Sequence, residues 1–124
     1  MDEGLTRTAL RVLLVEDEGL VAVMIEDLLA DLGCEVPCSA SSVGEAMQWL
    51  KAGGEPDAAL LDVNLDGEPV FPVAEILAAR GVPFAFTTGY AQSHDPRFSQ
   101  APFLGKPIRL DRLAEVLKRF RGSL

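Results

Sequence analysis

The apolar residues of this chain follow two patterns that alternate along its length. Short apolar runs predict five strands, of which the one at 34–40 is weak, and longer stretches with apolar residues three or four positions apart predict helices between them. The predicted strands lie at 9–16, 34–40, 57–62, 82–87 and 101–105. The predicted helices begin near Gly19, Ser42, Pro69 and Leu110. Strict alternation of strand and helix implies a parallel sheet with helices on both faces, an α/β fold of three layers.

Cap and turn residues mark the limits of these elements. Gly33 supplies a stop for the first helix, and Ser42 with Glu45 has the spacing of a capping box that opens the second. Pro37 places the second strand at an edge of the sheet. The apolar positions that define the first helix are Val21, Met24, Ile25, Leu28, Leu29 and Leu32, and those predicted to be buried on the last helix are Leu110, Leu113, Leu117 and Phe120.

The stretch from Gly89 to Gln100 does not fit the alternation. It contains turn formers, among them Asp95-Pro96, and only scattered apolar residues. The fourth helix of the fold belongs here, and we expect it to be short, distorted or mobile.

The composition restricts the class of protein. With 124 residues, 48% of them hydrophobic, and a net charge of −8, the chain has the makeup of one globular domain, 1–124, with its core at about 9–121. Such an acidic surface repels phosphate backbones and anionic lipids, so neither nucleic acid nor a membrane is expected as a partner. There is no apolar run of the roughly 18 residues that a membrane helix needs, and no secretory signal. We expect a cytoplasmic protein in which Cys34 and Cys38 are small hydrophobes rather than a disulfide or metal site.

Carboxylates follow two of the predicted strands. Glu16 and Asp17 end the first strand, and Asp62 ends the third, directly after the apolar run 58–61. In a sheet of order 2-1-3-4-5, ligands bind beyond the carboxyl ends of strands one and three, where the strand order reverses. Two carboxylates about 4 Å apart repel by roughly 4 kcal/mol at an effective dielectric near 20, so three of them need a proton or a cation. Hard oxygen ligands with room for water suit Mg²⁺.

The last two strands bring complementary groups to the same rim. Strand five runs into Lys106, a point charge suited to phosphate, and strand four runs into Thr87 and Thr88, whose hydroxyls are able to donate to a phosphoryl oxygen. A carboxylate that attacks phosphorus forms an aspartyl phosphate, so Asp62 is placed to be phosphorylated. Strand alternation puts the two threonines on opposite faces, and the residues alone leave open which one faces the site.

Four motifs in order resemble the receiver domain of two-component response regulators, the CheY-like fold. They are LLVEDE at 13–18, LLDVNL at 60–65, FTTGY at 86–90 and FLGKP at 103–107. The resemblance spans nearly the whole chain and implies a flavodoxin-like sheet of order 2-1-3-4-5. It also implies that Asp62 accepts the phosphoryl group.

The resemblance assigns roles to the other residues around Asp62. It implies that Glu16 and Asp17 hold Mg²⁺ together with Asp62, and that Asn64 gives a backbone carbonyl to the metal. Thr88, favoured over its neighbour by the Thr-Gly register of the family, and Lys106 then contact the phosphoryl oxygens.

The resemblance also implies a switch. Phe103 takes the position of an aromatic switch residue that is often tyrosine, and without a hydroxyl it reports phosphorylation only by repacking. We expect Thr88 to move toward the phosphoryl group while Phe103 and the 89–100 segment repack. The bond between Lys106 and Pro107 is characteristically cis in this family.

A finer pattern, PFAFTTGY together with DVNLDGEP, resembles a subgroup of stand-alone receivers named for a Phe-Ala-Thr-Gly-Tyr-like motif. In this subgroup the fourth helix is reduced or mobile. The present chain has Thr87 where the motif has alanine, and the loop after Asp62 lacks the proline common in ordinary receivers.

For several other polar and aromatic residues, no role in the site is needed to explain their presence. Glu18 and Asp66 are interpreted as solvated charge, and His94 as a solvated loop residue rather than a phosphoryl carrier. Tyr90 and Phe98 fit loop packing and a partner-binding surface equally well.

The function implied is that of a signalling receiver rather than a conventional enzyme. A histidine kinase or a histidine phosphotransfer protein gives its phosphoryl group to Asp62 in a Mg²⁺-dependent reaction catalysed largely by the receiver itself. The output is a protein contact or onward phosphotransfer without a DNA-binding domain, unless the chain is a domain excised from a longer protein.

Two alternatives remain at this point. One is a phosphohydrolase of the haloacid dehalogenase type, which also uses a nucleophilic Asp and Mg²⁺ but needs a second acid where this chain has Asn64. The other is a receiver that serves as an unphosphorylated scaffold.

Overall fold

The computed structural model describes residues 9–65, 67–89 and 96–122 of the chain. The strands are β1 (Arg11–Val15), β2 (Glu35–Ala40), β3 (Ala58–Asp62), β4 (Asn64–Leu65), β5 (Glu68–Pro69), β6 (Phe84–Thr88) and β7 (Phe103–Gly105). The helices are α1 (Gly19–Asp31), α2 (Val43–Lys51), α3 (Phe71–Ala79) and α4 (Leu110–Gly122), and Pro96–Phe98 forms one 3₁₀ turn.

Five strands form one parallel sheet in the order β2-β1-β3-β6-β7. The remaining two, β4 and β5, pair with each other as a small antiparallel hairpin directly after β3. With the hairpin set aside, the order is the 2-1-3-4-5 arrangement that the sequence predicts. Pro37 lies in β2, which is an edge strand as expected, because an edge is where a missing N–H is tolerated.

The central strands are buried on both faces, which is why their sequences are continuous rather than alternating. In β3 all five residues are buried. Leu61 packs in the core beneath α2 and α3, whereas Leu60 packs in the second core beneath α1 and α4. Cys38 and Cys34 are divided between the same two cores, both as free thiols, so the two cysteines lie on opposite sides of the sheet.

Two apolar positions of the helices differ from the prediction. Leu110 is 45% exposed, and the buried face of α4 is formed by Leu113, Val116, Leu117 and Phe120. Because helical side chains point toward the N-terminus, the side chain of the first helical residue extends past the end of the helix. In α1, Met24 is exposed and Ala22 is buried in its place, so the buried face is rotated from the one that the larger side chains suggest.

The segment between β6 and β7 matches the expectation of a reduced fourth helix where it is described, since only the 3₁₀ turn is present there. Residues 66 and 90–95 lie outside the described residues. The interpretations of Asp66, Tyr90 and His94 concern these residues. Among the described residues, none of the helices combines the length and the apolar character needed to cross a bilayer.

The start of α2 confirms the predicted cap, with a shift of one residue in its second half. Ser42 Oγ accepts a hydrogen bond from the backbone N–H of Glu45 at 3.1 Å. Glu45 Oε1 reaches back past Ser42 and accepts from the backbone N–H and the hydroxyl of Ser41, at 2.8 and 2.9 Å. These two bonds lower the pKa of Glu45, and together the serines and the glutamate fix where the helix begins.

Replacing Ser42 by Ala is expected to lower the free energy of unfolding by about 1 kcal/mol, because one helix N–H loses its acceptor. Urea denaturation measures the change. Ser39→Ala, on an exposed position of β2, is the control and is expected to change the value by less than about 0.5 kcal/mol. Equal losses in the two variants would contradict the cap.

Candidate functional site

Acidic side chains meet at the carboxyl end of the sheet. Glu16 directly follows β1 and is held there by its backbone N–H, which donates to the carbonyl oxygen of Ala40 at 2.9 Å. Asp62 is the last residue of the neighbouring β3. Both carboxylates are almost fully buried, with residue exposures of 2% for Glu16 and 5% for Asp62.

Lys106 joins the two buried acids. It follows β7, and its Nζ lies 2.8 Å from Glu16 Oε1 and 3.0 Å from Asp62 Oδ2. One ammonium therefore offsets part of the charge of two carboxylates that come from different strands. The peptide bond between Lys106 and Pro107 is cis, as the family resemblance implies.

The pKa values of Glu16 and Lys106 reflect their burial and the charged groups around them. Burial raises the pKa of Glu16, the close contact with the Lys106 ammonium and the hydrogen bond from the backbone of Glu18 lower it, and repulsion from Asp62 raises it further, so that it ends above its ordinary value. Burial by itself lowers the pKa of Lys106, but the contacts with the carboxylates of Glu16 and Asp62 outweigh burial and raise it. Lys106 therefore stays protonated.

One oxygen of Glu16 is left with spare capacity. Oε2 accepts from the backbone N–H of Glu18 at 3.2 Å. Oε1 is buried and receives no well-directed hydrogen bond from the described residues, although the Lys106 ammonium is nearby. A buried carboxylate oxygen in this condition favours a further cation.

Three carboxylates are close enough to share such a cation. Glu16, Asp17 and Asp62 each offer an oxygen, and these atoms lie within 4.8 Å of one another. Asp17 is half-buried, so the group opens to solvent on its side. An all-oxygen set that leaves room for water fits Mg²⁺. Asn64 begins the hairpin after Asp62, and its role as a carbonyl ligand stays a prediction.

The two threonines of β6 occupy different environments. Thr87 is buried and pairs with Asp62 in the β3–β6 ladder, whereas Thr88 is half-buried and pairs with Gly105. The carbonyl oxygen of Thr88 accepts from the backbone N–H of Lys106 at 2.9 Å. The backbones of Thr88 and Lys106 are thus fixed to each other, and the contact of Thr88 with a phosphoryl group stays a prediction.

Phe103 belongs to an aromatic cluster that the sequence analysis did not identify. Its ring centroid lies 5.2 Å from that of Phe86, which is fully buried two residues before Thr88. Both phenylalanines are visible in the sequence as the first residues of two site motifs. A phenylalanine in an apolar run, however, gives no indication of whether its ring contacts the ring of another strand or only fills the core.

Solved structures provide the comparison with known proteins. SdrG from Sphingomonas melonis Fr1 is 42% identical over 94% of this chain and 99% of its own, with a TM-score of 0.81. The BeF3-activated conformation of SdrG, from Pseudomonas melonis Fr1, is 44% identical over 90% and 97%, with a TM-score of 0.74. The signal receiver domain of a modulated diguanylate cyclase from Desulfovibrio desulfuricans G20 is 28% identical over 93% and 96%, with a TM-score of 0.76. A scan of protein-family models gave no match, and neither did a search of curated proteins.

Replacing Lys106 by Met is expected to raise the pKa of Glu16 further, because burial and repulsion from Asp62 remain when the ammonium is gone. A ¹³C pH titration of the side-chain carboxyl in metal-free buffer measures it. The carboxyl of Glu45, whose pKa is set by Ser41, is the internal control and keeps its titration.

The same shift predicts the pH dependence of stability. A carboxyl whose pKa is raised above 4.5 binds its proton more tightly in the folded chain. The free energy of unfolding of the Lys106→Met variant therefore falls as the pH increases from 4.5 through the raised pKa of Glu16. An unchanged Glu16 titration would show that Lys106 does not govern this acid.

Proposed function

Because this chain belongs to the receiver domains of response regulators, we propose that Asp62 accepts a phosphoryl group from a phosphohistidine of a histidine kinase or a histidine phosphotransfer protein. One observation carries the proposal: Lys106 Nζ lies 3.0 Å from Asp62 Oδ2 and 2.8 Å from Glu16 Oε1. A carboxylate nucleophile and a phosphate-binding cation are thus held side by side at a sheet edge rich in oxygen ligands. We assign residues from about 9 to 121 to this domain.

The transfer is a single displacement at phosphorus. A carboxylate oxygen of Asp62 forms the new O–P bond while the P–N bond to histidine breaks, and the nitrogen keeps the electron pair. Lys106 is protonated and donates to a phosphoryl oxygen. Glu16, Asp17, Asp62 and the carbonyl of Asn64 would hold Mg²⁺, which supplies positive charge to offset that of the phosphoryl oxygens. The receiver thereby contributes most of the catalysis of its own phosphorylation. Attack of water on the same phosphorus breaks the bond to the Asp62 oxygen, which regenerates the carboxylate and releases inorganic phosphate.

An apolar surface beside the site is suited to dock the donor. Leu20, Val23 and Met24 are exposed on α1 at helical spacing, by 84%, 52% and 57%. Met24 also lines a groove of about 320 Å³ whose other side contains Pro107 and Ile108, next to the site lysine. An amphipathic helix laid in this groove would bring its histidine to the rim of the sheet.

Incubation with phosphoramidate and Mg²⁺ is expected to add one phosphoryl group to the chain, as measured by intact mass. Asp62→Asn is expected to abolish the addition, because the amide lacks the negatively charged oxygen that attacks phosphorus. Asp57→Asn is the matched control and keeps the addition, since Asp57 lies at the opposite end of the same strand, where it accepts from the backbone of Arg11 at 2.9 Å.

Removal of Mg²⁺ by a chelator is expected to reduce labelling at least tenfold, and Asp17→Asn is expected to raise the Mg²⁺ concentration needed for half-maximal labelling by at least the same factor. Glu18→Gln, an exposed neighbour, leaves that concentration unchanged. Labelling that persists in Asp62→Asn would move the acceptor elsewhere. Absence of labelling in the wild type would favour a scaffold receiver, and continuous turnover of small phosphoesters would favour a phosphohydrolase.

Phosphorylation is proposed to act through Thr88 and Phe103. The related SdrG has been solved in a BeF3-activated conformation, and beryllium trifluoride on a carboxylate has the shape of a phosphoryl group. Thr88 moves toward the phosphoryl group, and Phe103 repacks because its strand is hydrogen-bonded to that of Thr88. The face from β6 to α4 then changes its affinity for a partner.

Titration with beryllium fluoride and Mg²⁺, followed by amide NMR, is expected to shift resonances throughout 86–106 in addition to the neighbours of Asp62. Thr88→Val is expected to keep the shifts near Asp62 and to lose most of those near Phe103, because the hydroxyl is the group that follows the phosphoryl mimic. Shifts confined to the neighbours of Asp62 in the wild type would exclude the switch.

A further inference from the structure

An aromatic cluster connects the site to a distant surface. Phe86 is fully buried, and its ring centroid lies 5.7 Å from that of Phe71, 5.5 Å from Phe84, 6.1 Å from Phe98 and 5.2 Å from Phe103. These separations are those of contacting rings. A displacement of the ring of Phe103 therefore reaches Phe98 through one intervening side chain.

A pocket lies at the far side of this cluster. It has a volume of about 310 Å³, and its apolar walls include Phe84, Phe98, Ala101 and Phe120. We call it the Phe98 pocket. This volume is at the lower end of the range for small-molecule sites and admits one aromatic ring.

The rim of the Phe98 pocket is basic although the chain is acidic. Arg97 and Arg119 both line it. The guanidinium of Arg97 lies 5.2 Å from the ring centroid of Phe98 and is paired with Glu75.

The same sign of charge extends along α4. From Leu110 to Gly122 the helix carries four basic residues and two acidic ones, a net charge of +2 in a chain of net charge −8. Basic residues in its last turn, Arg119 and Arg121, are also next to the negative end of the helix dipole. Arg119 is the basic residue of α4 that lines the pocket, whereas Arg121 is directed at the carbonyl oxygen of Leu32.

We propose that the Phe98 pocket binds an acidic segment of a partner protein, which places one aromatic side chain against the contacting rings of Phe84 and Phe98 and a carboxylate against Arg119. The proposal rests on the proposed function in one respect: the aromatic cluster couples occupancy of the pocket to phosphorylation of Asp62. A nucleic acid would also bring negative charge and rings, but the net charge of −8 opposes its phosphate backbone.

The coupling follows from the two ends of the cluster. Phe86 donates its backbone N–H to the carbonyl oxygen of Pro102 at 2.9 Å, and it lies two residues before Thr88. A change of Thr88 and Phe103 moves Phe86, and with it the wall that Phe98 gives to the pocket. Coupling between two sites is reciprocal, so a ligand in the pocket changes the affinity of Asp62 for a phosphoryl mimic by the same factor.

Phenylacetate is the probe, because it combines one ring with one carboxylate; phenethylamine and acetate are the controls. Amide NMR titration of the whole chain is expected to give saturable shifts for Phe84, Phe98, Ala101 and Phe120 with phenylacetate, and none with phenethylamine or acetate. Beryllium fluoride with Mg²⁺ is expected to change the dissociation constant at least twofold.

Variants separate the ring from the charge. Arg119→Gln is expected to weaken phenylacetate at least fivefold, while Arg109→Gln, an exposed arginine paired with Asp111 away from the pocket, leaves binding unchanged. Ala101→Leu is expected to abolish binding by filling the pocket, and its amide spectrum verifies that it folds.

Equal shifts with phenethylamine, or binding unaffected by both Arg119→Gln and Ala101→Leu, would overturn the pocket assignment. If beryllium fluoride shifts the neighbours of Asp62 while the phenylacetate constant stays the same, the coupling is wrong and the proposed function stands. If beryllium fluoride has no effect near Asp62, the proposed function fails, and the binding half is judged by the phenylacetate titration alone.

Discussion

The contact of one ammonium with two buried carboxylates is the constraint on which the rest of this structure depends. Glu16 and Asp62 end adjacent strands of a parallel sheet, so their charges are forced together by the fold itself. Burial is the largest cause of the raised pKa of Glu16, repulsion from Asp62 adds to it, and the Lys106 ammonium offsets only part of these effects. The site is therefore held in a condition that a divalent cation would relieve, and the positive charge of that cation and of Lys106 is the physical basis of the proposed chemistry.

Much of the fold was predictable because the sheet is buried on both faces. The runs at 12–15 and 58–61 are apolar throughout, and the edge strand is marked by Pro37. The convergence of Glu16, Asp62 and Lys106 followed from topology alone, since the carboxyl ends of parallel strands share one rim.

Other features could not be predicted from the sequence because they depend on contacts between particular side chains. Met24 and Leu110 sit at helical spacing with buried residues but are exposed, since periodicity does not say how far along a helix its packing extends. The position of Phe86 at the centre of five rings depends on contacts between segments far apart in the chain. Periodicity assigns such a residue to the core and gives no hint of its neighbours.

The hydrogen bonds that pair β6 with β7 determine which incompletely folded copies of the chain lack a complete site. Glu16, Asp62 and Lys106 are separated by 46 and 44 positions in the chain. Pairing of β1 with β3 brings the two acids together, but the lysine reaches them only after β6 and β7 have been added to the sheet. A copy in which β7 has not joined the sheet therefore has the two carboxylates without the ammonium between them. Under the proposed function, a copy without this ammonium is a poor phosphoryl acceptor, so the response is restricted to molecules whose last strand is in place.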